Sequence, residues 1–548
     1  MSTMTEPPRS APPRDSQSAE RPPEMLPDGR ANVSLLEDKL PDYLKATKSL
    51  AVLTAVIGVI FFALNRLAIR LTDVWGHLAY GRWMQAHDAI PQTEPLMNLS
   101  QGVPWVDTAW LSKVGGAWTI ETCGVPGLQM MHAVTLTIGF ALLAWLIYRR
   151  TQSLGWTLTG VLLFGAVDYT QLLIQRPQDF GVAAFACVLT WGLTATDRRW
   201  TWIALPAMFA LWANLHGSFA VGLVALGAVA VGRGIDVWRK THRFTLALRS
   251  GYVWRGVLML ELCAAAVLLN PAGLKIYADV LSIATNENLK VLFDWTPLTI
   301  RMGQGQMFVV AVVVLAAAFR MSPRRVTAVE LLLLVGFGIA SLWSLRMVIW
   351  FGPVAAYCLG VHGAAAWRAR RRSPLVAAPA ERRGLWTITT IGLAWIFFAY
   401  TPFGLQRLHG RPTGKEALAD FRRSVIDRTP LSAVAYLEKH ADELPGGQMY
   451  NSHEWGDYLQ WAGPQKFKVF VSSHVHLIPT EVWKDYLQIA EGAGDWQDKL
   501  NRYQVNTVLV DSTNYMGLIR ALRDEAAWKE VYSDPQGLAV LFVRKHPI

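Results

Sequence analysis

The chain has 548 residues, of which 52% are hydrophobic and only 17% are charged, and its formal net charge at pH 7 is +11. A soluble protein of this length rarely contains so few charges, so the composition indicates a membrane protein. The positive charge does not indicate nucleic-acid binding, because much of it lies in short loops between apolar segments, where lysine and arginine fix topology and contact anionic lipid. The four cysteines have no CxxC spacing, so neither a zinc site nor structural disulfides are expected.

Residues 1–46 precede the first apolar segment and are expected to form a disordered, Pro-rich cytoplasmic tail. The first 30 residues contain seven prolines and many Ser, Arg and Glu, a composition that cannot bury a core. They lack the apolar stretch of a signal peptide, so the first span is predicted to be an uncleaved anchor. A short interfacial helix is predicted at 33–45, just before that span.

Eleven apolar segments follow between residues 47 and 403, and several approach the roughly 20 residues that cross a bilayer core. The predicted spans are 48–69, 126–148, 154–174, 180–197, 200–215, 218–233, 254–270, 307–320, 327–344, 347–366 and 385–402. Two of them are short, 200–215 and 307–320, so ten or twelve spans remain open. A count of about eleven places every basic loop on one face, which the positive-inside rule makes cytoplasmic.

The unusual polar sequences fall on the opposite, extracytoplasmic face, mainly in two outer loops, residues 70–125 and 271–306. In the first loop, Trp75, Leu78, Ala79 and Trp83 follow a helical spacing. This pattern predicts a helix lying along the membrane surface. The predicted protein is thus a multi-pass protein of the cell inner membrane, with its N-terminus in the cytoplasm.

Residues 404–548 differ in character from the membrane part. Helix-like stretches such as "PTEVWKDYLQIA" alternate with short strand-like runs such as "KVFVSS" and "NTVLVDS". This alternation predicts a small soluble α/β domain, and its length suffices for one independent core. Because the domain follows the last span, it is expected on the extracytoplasmic, periplasmic side. The predicted fold class is a polytopic α-helical membrane protein followed by this domain.

Three residues of the first outer loop are candidates for catalysis: Asp73, His77 and Asp107. Asp73 directly follows the first span, and an acidic side chain at a membrane interface needs a partner, solvent or a function. His77 lies four residues later, on the same helical face. A carboxylate here could deprotonate a hydroxyl group or bind a divalent metal. It could equally satisfy the backbone donors of a helix N-terminus, and both interpretations remain open.

Three cations near outer ends of spans are candidates for binding a phosphate: Arg176, Arg346 and Lys275. Guanidinium groups suit phosphate because they are always charged and can bind two oxygens at once. The alternative for Arg176 is an ion pair with Asp168 or Asp179. Snorkelling to lipid headgroups is the alternative for any of these cations.

Polar and aromatic residues of the same face are candidates for binding a substrate. They are Glu94, Trp105, Asn214, His216, Asp294 and Trp295. The tryptophans could stack on sugar rings, but most tryptophans of membrane proteins are interfacial anchors. Asn214 and His216 could equally form a polar contact that joins two helices.

Several motifs occur together in one order along the chain: "DVWGHLAYGRWM", "IPQTEPLMNLSQGVPWVDTAWL", "RPQDF", "WANLHGSFAVGL", "LNPAGLKIY" and "YNSHEWGDYLQW". This ordered set spans roughly residues 45–545 and resembles large bacterial membrane proteins of the GT-C glycosyltransferase superfamily. The resemblance implies a polyprenyl-phosphate sugar donor, an extracytoplasmic site and an inverting transfer. It also implies that the superfamily's acid of the first outer loop corresponds to Asp73.

The sequence departs from the superfamily's common pattern at two places in this loop. A paired acidic motif is often found where Asp73 is followed by Val74 and Trp75. Related chains often carry Asp where this chain has Glu94, and a His-Glu pair at 108–109. Because of these departures a divalent metal, Mg²⁺ or Mn²⁺, is only a candidate cofactor, and the metal ligands are unknown.

The favoured function is a membrane glycosyltransferase that moves a sugar from a polyprenyl-phosphate donor to an extracytoplasmic glycan, lipid or protein. The alternative is a non-catalytic membrane component that binds lipid-linked glycan for polysaccharide assembly or export. A transporter is a third possibility, but it would favour charged groups near the bilayer midplane. The expected partners are therefore membrane lipid, a polyprenyl-phosphate sugar and an acceptor.

The topology gives the first testable prediction. A reporter that is active only outside the cytoplasm should be active when it is fused after Ile548, because eleven spans place the two termini on opposite sides. Alkaline-phosphatase activity of the fusion measures this directly. Activity of a cytoplasm-only reporter at the same position would instead place the C-terminal domain, and every outer motif, inside the cell.

Overall fold

The computed structural model describes residues 40–70, 73–194, 198–371, 382–534 and 537–548, together with residues 25, 27 and 29. Most of the predicted N-terminal tail and of the helix predicted at 33–45 lies outside these residues. The described end of that segment forms a 3₁₀ turn, Asp42–Leu44, and a two-residue strand β1, Ala46–Thr47.

The part of the chain up to residue 409 is helical. Its α-helices are α1 (Lys48–Asn65), α2 (Asp73–His87), α3 (Trp110–Thr151), α4 (Leu154–Val167), α5 (Tyr169–Leu172), α6 (Gln178–Leu193), α7 (Thr201–Leu215), α8 (Phe219–Thr241), α9 (Phe244–Arg249), α10 (Gly251–Val267), α11 (Lys275–Thr285), α12 (Gly303–Met321), α13 (Ala328–Trp343), α14 (Val348–Arg371), α15 (Gly384–Ala399) and α16 (Pro402–His409). Each of the eleven predicted spans overlaps one of these helices.

Length separates these helices into two groups. Among the described residues, five helical segments are long and apolar enough to cross a membrane: α1, α3, α8, α12 and the segment 345–371 that contains α14. Helices α15 and α16 are bent by 83° and make a sixth if they form one span. Helices α4, α6, α7 and α13 are apolar but shorter. The structure supports a multi-pass membrane protein, and the count of eleven spans stays a prediction.

Helix α3 contains a kink that separates outer loop from span. A straight helix of its 42 residues would be about 63 Å long, about twice a bilayer core. At Gly124 the backbone adopts φ 67° and ψ −169°, and Pro126 follows within the next turn. A positive φ of this kind suits glycine because it has no Cβ atom. The kink coincides with the predicted start of the second span at residue 126.

Contacts between distant segments hold some of the loops predicted to be cytoplasmic. Strand β1 pairs antiparallel with β2, Arg382–Arg383, so the starts of α1 and α15 lie together. Arg324 forms an ion pair of 2.6 Å with Glu330 at the start of α13. Near it, Asp236 of α8 accepts a hydrogen bond of 2.8 Å from the Ala328 backbone.

The C-terminal part forms the small α/β unit that the sequence predicts. Its helices and strands are α17 (Gly414–Arg423), α18 (Leu431–Lys439), β3 (Gly447–Asn451), α19 (His453–Ala462), β4 (Phe467–Val469), α20 (Thr480–Glu491), α21 (Trp496–Arg502), β5 (Val505–Asp511), α22 (Met516–Asp524), β6 (Trp528–Ser533) and β7 (Ala539–Arg544). The sheet order is β4-β3-β5-β7-β6, parallel from β4 to β5 and antiparallel from β5 to β6. All seven residues of the central strand β5 are buried, so the sheet is covered on both faces.

Helix α2 lies under the C-terminal domain. Trp75 is fully buried, and its ring contacts the rings of Phe421, Tyr458 and Trp461. The helix that the apolar spacing predicts is therefore present, and the C-terminal domain covers its Trp75 side. That it also lies along the membrane surface stays a prediction.

The second outer loop also holds the C-terminal domain. The side-chain amide of Asn288 donates to the backbone carbonyls of Val475 and Ile478, at 3.2 and 2.8 Å. The buried amide therefore has its donors satisfied by a loop far away in the sequence. With α2 on one side and Asn288 on the other, the domain is fixed over the outer end of the helical part.

Trp75 allows the domain contact to be tested. Trp75→Ala should lower the free energy of unfolding by about 3–5 kcal/mol, because it removes a fully buried ring that joins the two parts. Equilibrium unfolding of the purified full-length protein measures this change. The matched control is Trp118→Ala, because Trp118 is exposed, and its effect should stay within about 0.5 kcal/mol. Equal effects of the two substitutions would contradict the tight packing of α2.

Candidate active site

The candidate active site begins at the first residue of α2. Asp73 starts this helix, and His77 follows one turn later on the same side, as the spacing predicts. The Asp73 Oδ1 atom is buried and has no hydrogen-bond partner among the described residues. Burial raises the pKa of Asp73, while the positive charges of Arg176 and Arg346 act to lower it. The carboxyl group thus lies within the field of both guanidinium groups.

Arg176 is held by an ion pair that the sequence did not suggest. Its Nη1 atom lies 2.8 Å from Asp294 Oδ2, and its Nη2 atom donates to Gln171 Oε1 at 2.7 Å. Asp179 contacts the backbone N–H of Arg176, at 3.2 Å, and makes no ion pair with its guanidinium among the described contacts. Burial alone would raise the pKa of Asp294, but Arg176, and then Arg346, lower it below its ordinary value. Two of the candidate residues, Arg176 and Asp294, therefore meet in one ion pair.

Arg346 keeps more of its binding capacity than Arg176. Its Nε atom donates to the neutral amide oxygen of Gln178 at 3.0 Å, and its guanidinium lies 5.5 Å from the ring centre of Trp295. No ion pair within 4 Å involves Arg346 in the described part of the chain. Its terminal nitrogens are therefore the stronger candidates for an anionic ligand.

A pocket with both polar and apolar walls lies beside the first turn of α2, where Val74 and His77 line it. It is partly open, lies between α2, both arms of the kinked helix α3 and the turn before α6, and has about 460 Å³ of space when the adjoining open solvent is included. Its lining residues are Val74, His77, Leu78, Ser112, Gly116, Leu128, Met131, His132, Thr135, Gln175, Arg176, Pro177, Asp179 and Phe180. Cation, imidazole and carboxylate groups occupy part of this wall and aliphatic or aromatic groups the rest. Such a lining suits an amphiphilic ligand.

Asp107 belongs to a buried ion pair. Its Oδ2 atom lies 2.8 Å from the Nζ atom of Lys113, and its Oδ1 atom accepts from the Ala109 backbone at 2.8 Å. The Lys113 ammonium also lies 4.3 Å from the ring centre of Trp105 and 4.9 Å from that of Tyr80. Asp107 and Trp105 are therefore brought together by Lys113, a residue that the sequence analysis did not select.

Glu94 has local partners for both carboxylate oxygens. Its Oε1 atom accepts from the backbone of Leu96 and of Met97, at 2.7 and 2.8 Å, and its Oε2 atom accepts from the Tyr80 hydroxyl at 2.8 Å. Burial raises the pKa of Glu94, although these hydrogen bonds oppose the shift. The geometry gives this side chain a role in fixing the outer loop.

Asn214 lies in a contact that joins helices, which was the alternative interpretation of its motif. Its Oδ1 atom accepts from Trp110 Nε1 at 2.6 Å and from Asn270 Nδ2 at 3.2 Å. The Nδ1 atom of the neighbouring His216 accepts from the Ser218 backbone at 3.1 Å.

Lys275 lies apart from this group. Its side chain is exposed at the start of α11, and none of the described contacts joins it to another candidate.

The C-terminal domain adds residues that the sequence analysis missed. The His474 ring packs against the rings of His77 and Tyr80, with centres 5.2 and 4.6 Å apart. Asp457 touches α2 so closely that a Cβ atom on Gly76 would clash with its Oδ1 atom. Burial, and then the charge of Asp73, raise the pKa of Asp457 well above its ordinary value. The motif "YNSHEWGDYLQW" contains Asp457, but in the sequence it supports only the family resemblance.

The acidic and histidine side chains do not form a metal site. Across the described ranges, no group of three or more His, Cys, Asp or Glu residues could hold a metal ion. Asp294 is bound to Arg176, and Asp457 accepts hydrogen bonds from the Ser473 hydroxyl and backbone at 3.0 and 3.2 Å. These residues do not fit the candidate Mg²⁺ or Mn²⁺, so the chemistry below is derived without a metal.

Comparison with known proteins identifies the fold. No protein-family model matches the sequence, and no curated protein matches it. The archaeal oligosaccharyltransferase AglB from Archaeoglobus fulgidus, in complex with an inhibitory peptide and a dolichol-phosphate, matches with a TM-score of 0.50 at 11% identity. The match covers 90% of this chain and 73% of that one. ArnT from Cupriavidus metallidurans, bound to undecaprenyl phosphate, matches with a TM-score of 0.47 at 14% identity, over 90% of this chain and 97% of that one.

At 11% identity the match to the archaeal structure shows a shared fold and nothing finer. The shared arrangement extends over most of both chains. The GT-C-like fold that the sequence motifs indicated is thereby confirmed. Donor, acceptor and catalytic residues must be argued from this chain's own side chains.

His476, a half-buried histidine at the domain contact, makes stability depend on pH. Loss of solvent around its ring, and then the positive charges of Lys113 and Arg346, lower the pKa of His476 to about 3. The unfolded chain, with an ordinary histidine pKa near 6.5, therefore binds more protons than the folded chain between these values, and this contribution to stability is lost as pH falls below about 6.5.

His476→Gln should remove that loss. The free energy of unfolding of the wild type should fall between pH 7 and pH 5 by on the order of 1–2 kcal/mol more than that of the variant. Equilibrium unfolding of both proteins at both pH values measures this change. Subtracting the variant's change from that of the wild type removes the contribution of titrating groups that the two proteins share. His409→Gln, at an exposed position, should keep the wild-type dependence. Identical pH dependence of wild type and His476→Gln would contradict a neutral His476 at the domain contact.

Proposed function

We propose that this protein is a membrane glycosyltransferase that moves a sugar from a polyprenyl-phosphate donor to an extracytoplasmic glycan, lipid or protein. The observation that carries the proposal is the position of Asp73. Its carboxyl group has a buried oxygen without a partner among the described residues and lies in the field of two arginines, and the residues Val74 and His77 of the same helical turn line a pocket with polar and apolar walls. A base, a phosphate site and a lipid site would then occur side by side.

In the proposed reaction Asp73 is the general base. It takes the proton of the acceptor hydroxyl, the hydroxyl oxygen forms a bond to the anomeric carbon, and the bond from that carbon to the donor phosphate breaks. The bonding electrons stay with the phosphate, and the anomeric configuration inverts. Burial supports this role because it raises the pKa of Asp73, and a base works best with a pKa close to the working pH.

Arg346 is proposed to bind the leaving phosphate, with Arg176 as the second cation. Negative charge builds up on the phosphate as its bond to the sugar breaks, and fixed cations stabilise that charge. Arg346 is favoured because its only hydrogen bond among the described contacts goes to a neutral amide. Arg176 is already paired with Asp294 at 2.8 Å, so it contributes charge while it is held in place.

The pocket supports a lipid-linked donor rather than a soluble one. Arg176 and His77 lie at its polar wall, whereas Leu128, Met131 and Phe180 offer apolar surface. A polyprenyl phosphate has the same two characters, a charged headgroup and an apolar chain. We place the phosphate at the polar wall and the first prenyl units against the apolar residues.

The arrangement argues against the two other functions. A transporter would place its charged groups near the bilayer midplane. The candidate charges instead gather at the end of the helices where the C-terminal domain lies. A component that only binds lipid-linked glycan would need the phosphate site but no unpaired carboxyl group beside it. That alternative becomes an outcome of the test below.

The test is sugar transfer by the purified full-length protein in nanodiscs. Undecaprenyl-phosphate-linked sugars are supplied with an extract of envelope glycans, and release of undecaprenyl phosphate is measured by mass spectrometry. Asp73→Asn should slow release by roughly 10²- to 10⁴-fold, because it removes the base without changing the volume of the side chain. Asp88→Asn is the matched control, since Asp88 is an exposed aspartate of the same outer loop, and should react like the wild type.

Two results would count against the proposal in different ways. If Asp73→Asn turned over at nearly the wild-type rate, the base would have to be sought elsewhere, first at Asp107. If the wild type bound the donors but released no phosphate with any acceptor, the protein would be the non-catalytic component.

A further inference from the structure

A second feature of the pocket concerns His132, on the span side of the kink in α3. The His132 side chain is only 2% exposed, and its Nδ1 atom lies 2.6 Å from Asp179 Oδ2. The same carboxylate oxygen accepts the Arg176 backbone N–H at 3.2 Å. One oxygen of Asp179 thus fixes the imidazole ring beside the turn that carries Arg176.

The other ring nitrogen of His132 faces no protein partner. His132 lines the pocket, and its Nε2 atom is buried without a hydrogen-bond partner within the described part of the chain. Buried polar atoms in folded proteins almost always have a partner, in protein, water or ligand. A carboxylate on Nδ1 sets the tautomer and the orientation of the ring, and so determines where Nε2 points. The dyad therefore presents one oriented, unused nitrogen to the pocket.

We propose that His132, positioned by Asp179, binds the phosphate group of the lipid ligand through Nε2. Asp179 holds the Nδ1 proton, and Nε2, when it carries a proton, donates a hydrogen bond to an anionic phosphate oxygen. Arg176 lines the same pocket, so the phosphate is bound by an imidazole and a guanidinium at once. The neighbouring Leu128 and Met131, on the same helix as His132, then contact the start of the prenyl chain.

This inference rests on the proposed polyprenyl-phosphate ligand, but it concerns binding and needs no turnover. A histidine with only a packing role would stabilise the helices without distinguishing a phosphate from an alcohol. A histidine that binds phosphate must distinguish undecaprenyl phosphate from undecaprenol, which has the same chain. The comparison of these two lipids separates the roles.

The experiment measures dissociation constants of the full-length protein in nanodiscs by native mass spectrometry. The probes are undecaprenyl phosphate, undecaprenol and inorganic phosphate, and the melting temperature is recorded for each protein. His132→Gln keeps an N–H donor for Asp179 but loses the second ring nitrogen that faces the pocket. Affinity for undecaprenyl phosphate should therefore fall about tenfold or more. Affinity for undecaprenol should not change. His409→Gln, at an exposed position, should bind all probes like the wild type.

Several results would overturn the proposal. One is that folded His132→Gln binds undecaprenyl phosphate with an affinity within about twofold of the wild type. Another is that His132→Gln loses as much affinity for undecaprenol as for undecaprenyl phosphate. Inorganic phosphate binding to the wild type as tightly as undecaprenyl phosphate would overturn the lipid assignment. If His132→Gln does not fold, Asp179→Asn decides instead, because the amide no longer fixes the tautomer, and unchanged affinity there overturns the proposal.

The outcome is independent of the transferase reaction. Loss of phosphate-lipid binding in His132→Gln, together with a wild type that transfers no sugar, would support His132 and reject the proposed activity. Normal binding by His132→Gln, together with transfer that depends on Asp73, would reject His132 and support the activity.

Discussion

The end of the helical part that faces the C-terminal domain is organised by the need to bury charge in balanced pairs. Two guanidinium groups, Arg176 and Arg346, and two carboxyl groups, Asp73 and Asp294, lie within one electrostatic field. An isolated buried ion costs many kcal/mol, so each of these groups depends on the others. Only Arg176 and Asp294 make a close ion pair, at 2.8 Å. The remaining two charges are balanced at longer range, which leaves Asp73 and Arg346 with capacity for a ligand.

The C-terminal domain is part of this arrangement because it removes water from above α2. Trp75 and Asp457 show the contact most clearly, one through a fully buried ring and the other through a carboxylate against Gly76. A lower local dielectric strengthens the interaction between the arginines and the carboxylates beneath. The domain thus acts on Asp73 through solvent exclusion, without supplying an ion pair. A domain of this kind would affect a reaction even if it never touched the sugar.

The sequence predicted the membrane class, the C-terminal α/β unit and much of the cluster, because these depend on local pattern. Asp73, Arg176, Arg346 and Asp294 are all polar residues at outer ends of apolar segments, so the topology alone brings them to one end. Lys113 could not be found in this way. It lies within the long helix α3, and its significance comes from Asp107 and two aromatic rings that fold around it.

Residues of the C-terminal domain and of helix interiors were missed for a different reason. His474 lies far from His77 in the sequence, and without a known docking of the domain nothing indicates their contact. His132 looked like an ordinary polar residue of an apolar span, and only its contact with Asp179 distinguishes it. The spacing of the helix in the first outer loop likewise identifies an apolar face but not what covers it. Pairings between distant segments are decided by packing, which a single sequence does not display.

Under the proposed function, donor binding would change the basicity of Asp73, because burial and the nearby arginines shift its pKa in opposite directions. Burial raises the pKa of this carboxyl group, and the charges of Arg176 and Arg346 lower it. A phosphate bound to those arginines would neutralise part of their charge, so the effect that lowers the pKa would weaken when the donor is in place. Asp73 would then be most basic in the complex where an acceptor proton has to be removed, and less basic in the empty site. Because both arginines interact with the phosphate and with Asp73, the same two side chains would stabilise the leaving phosphate and adjust the basicity of Asp73 to donor binding.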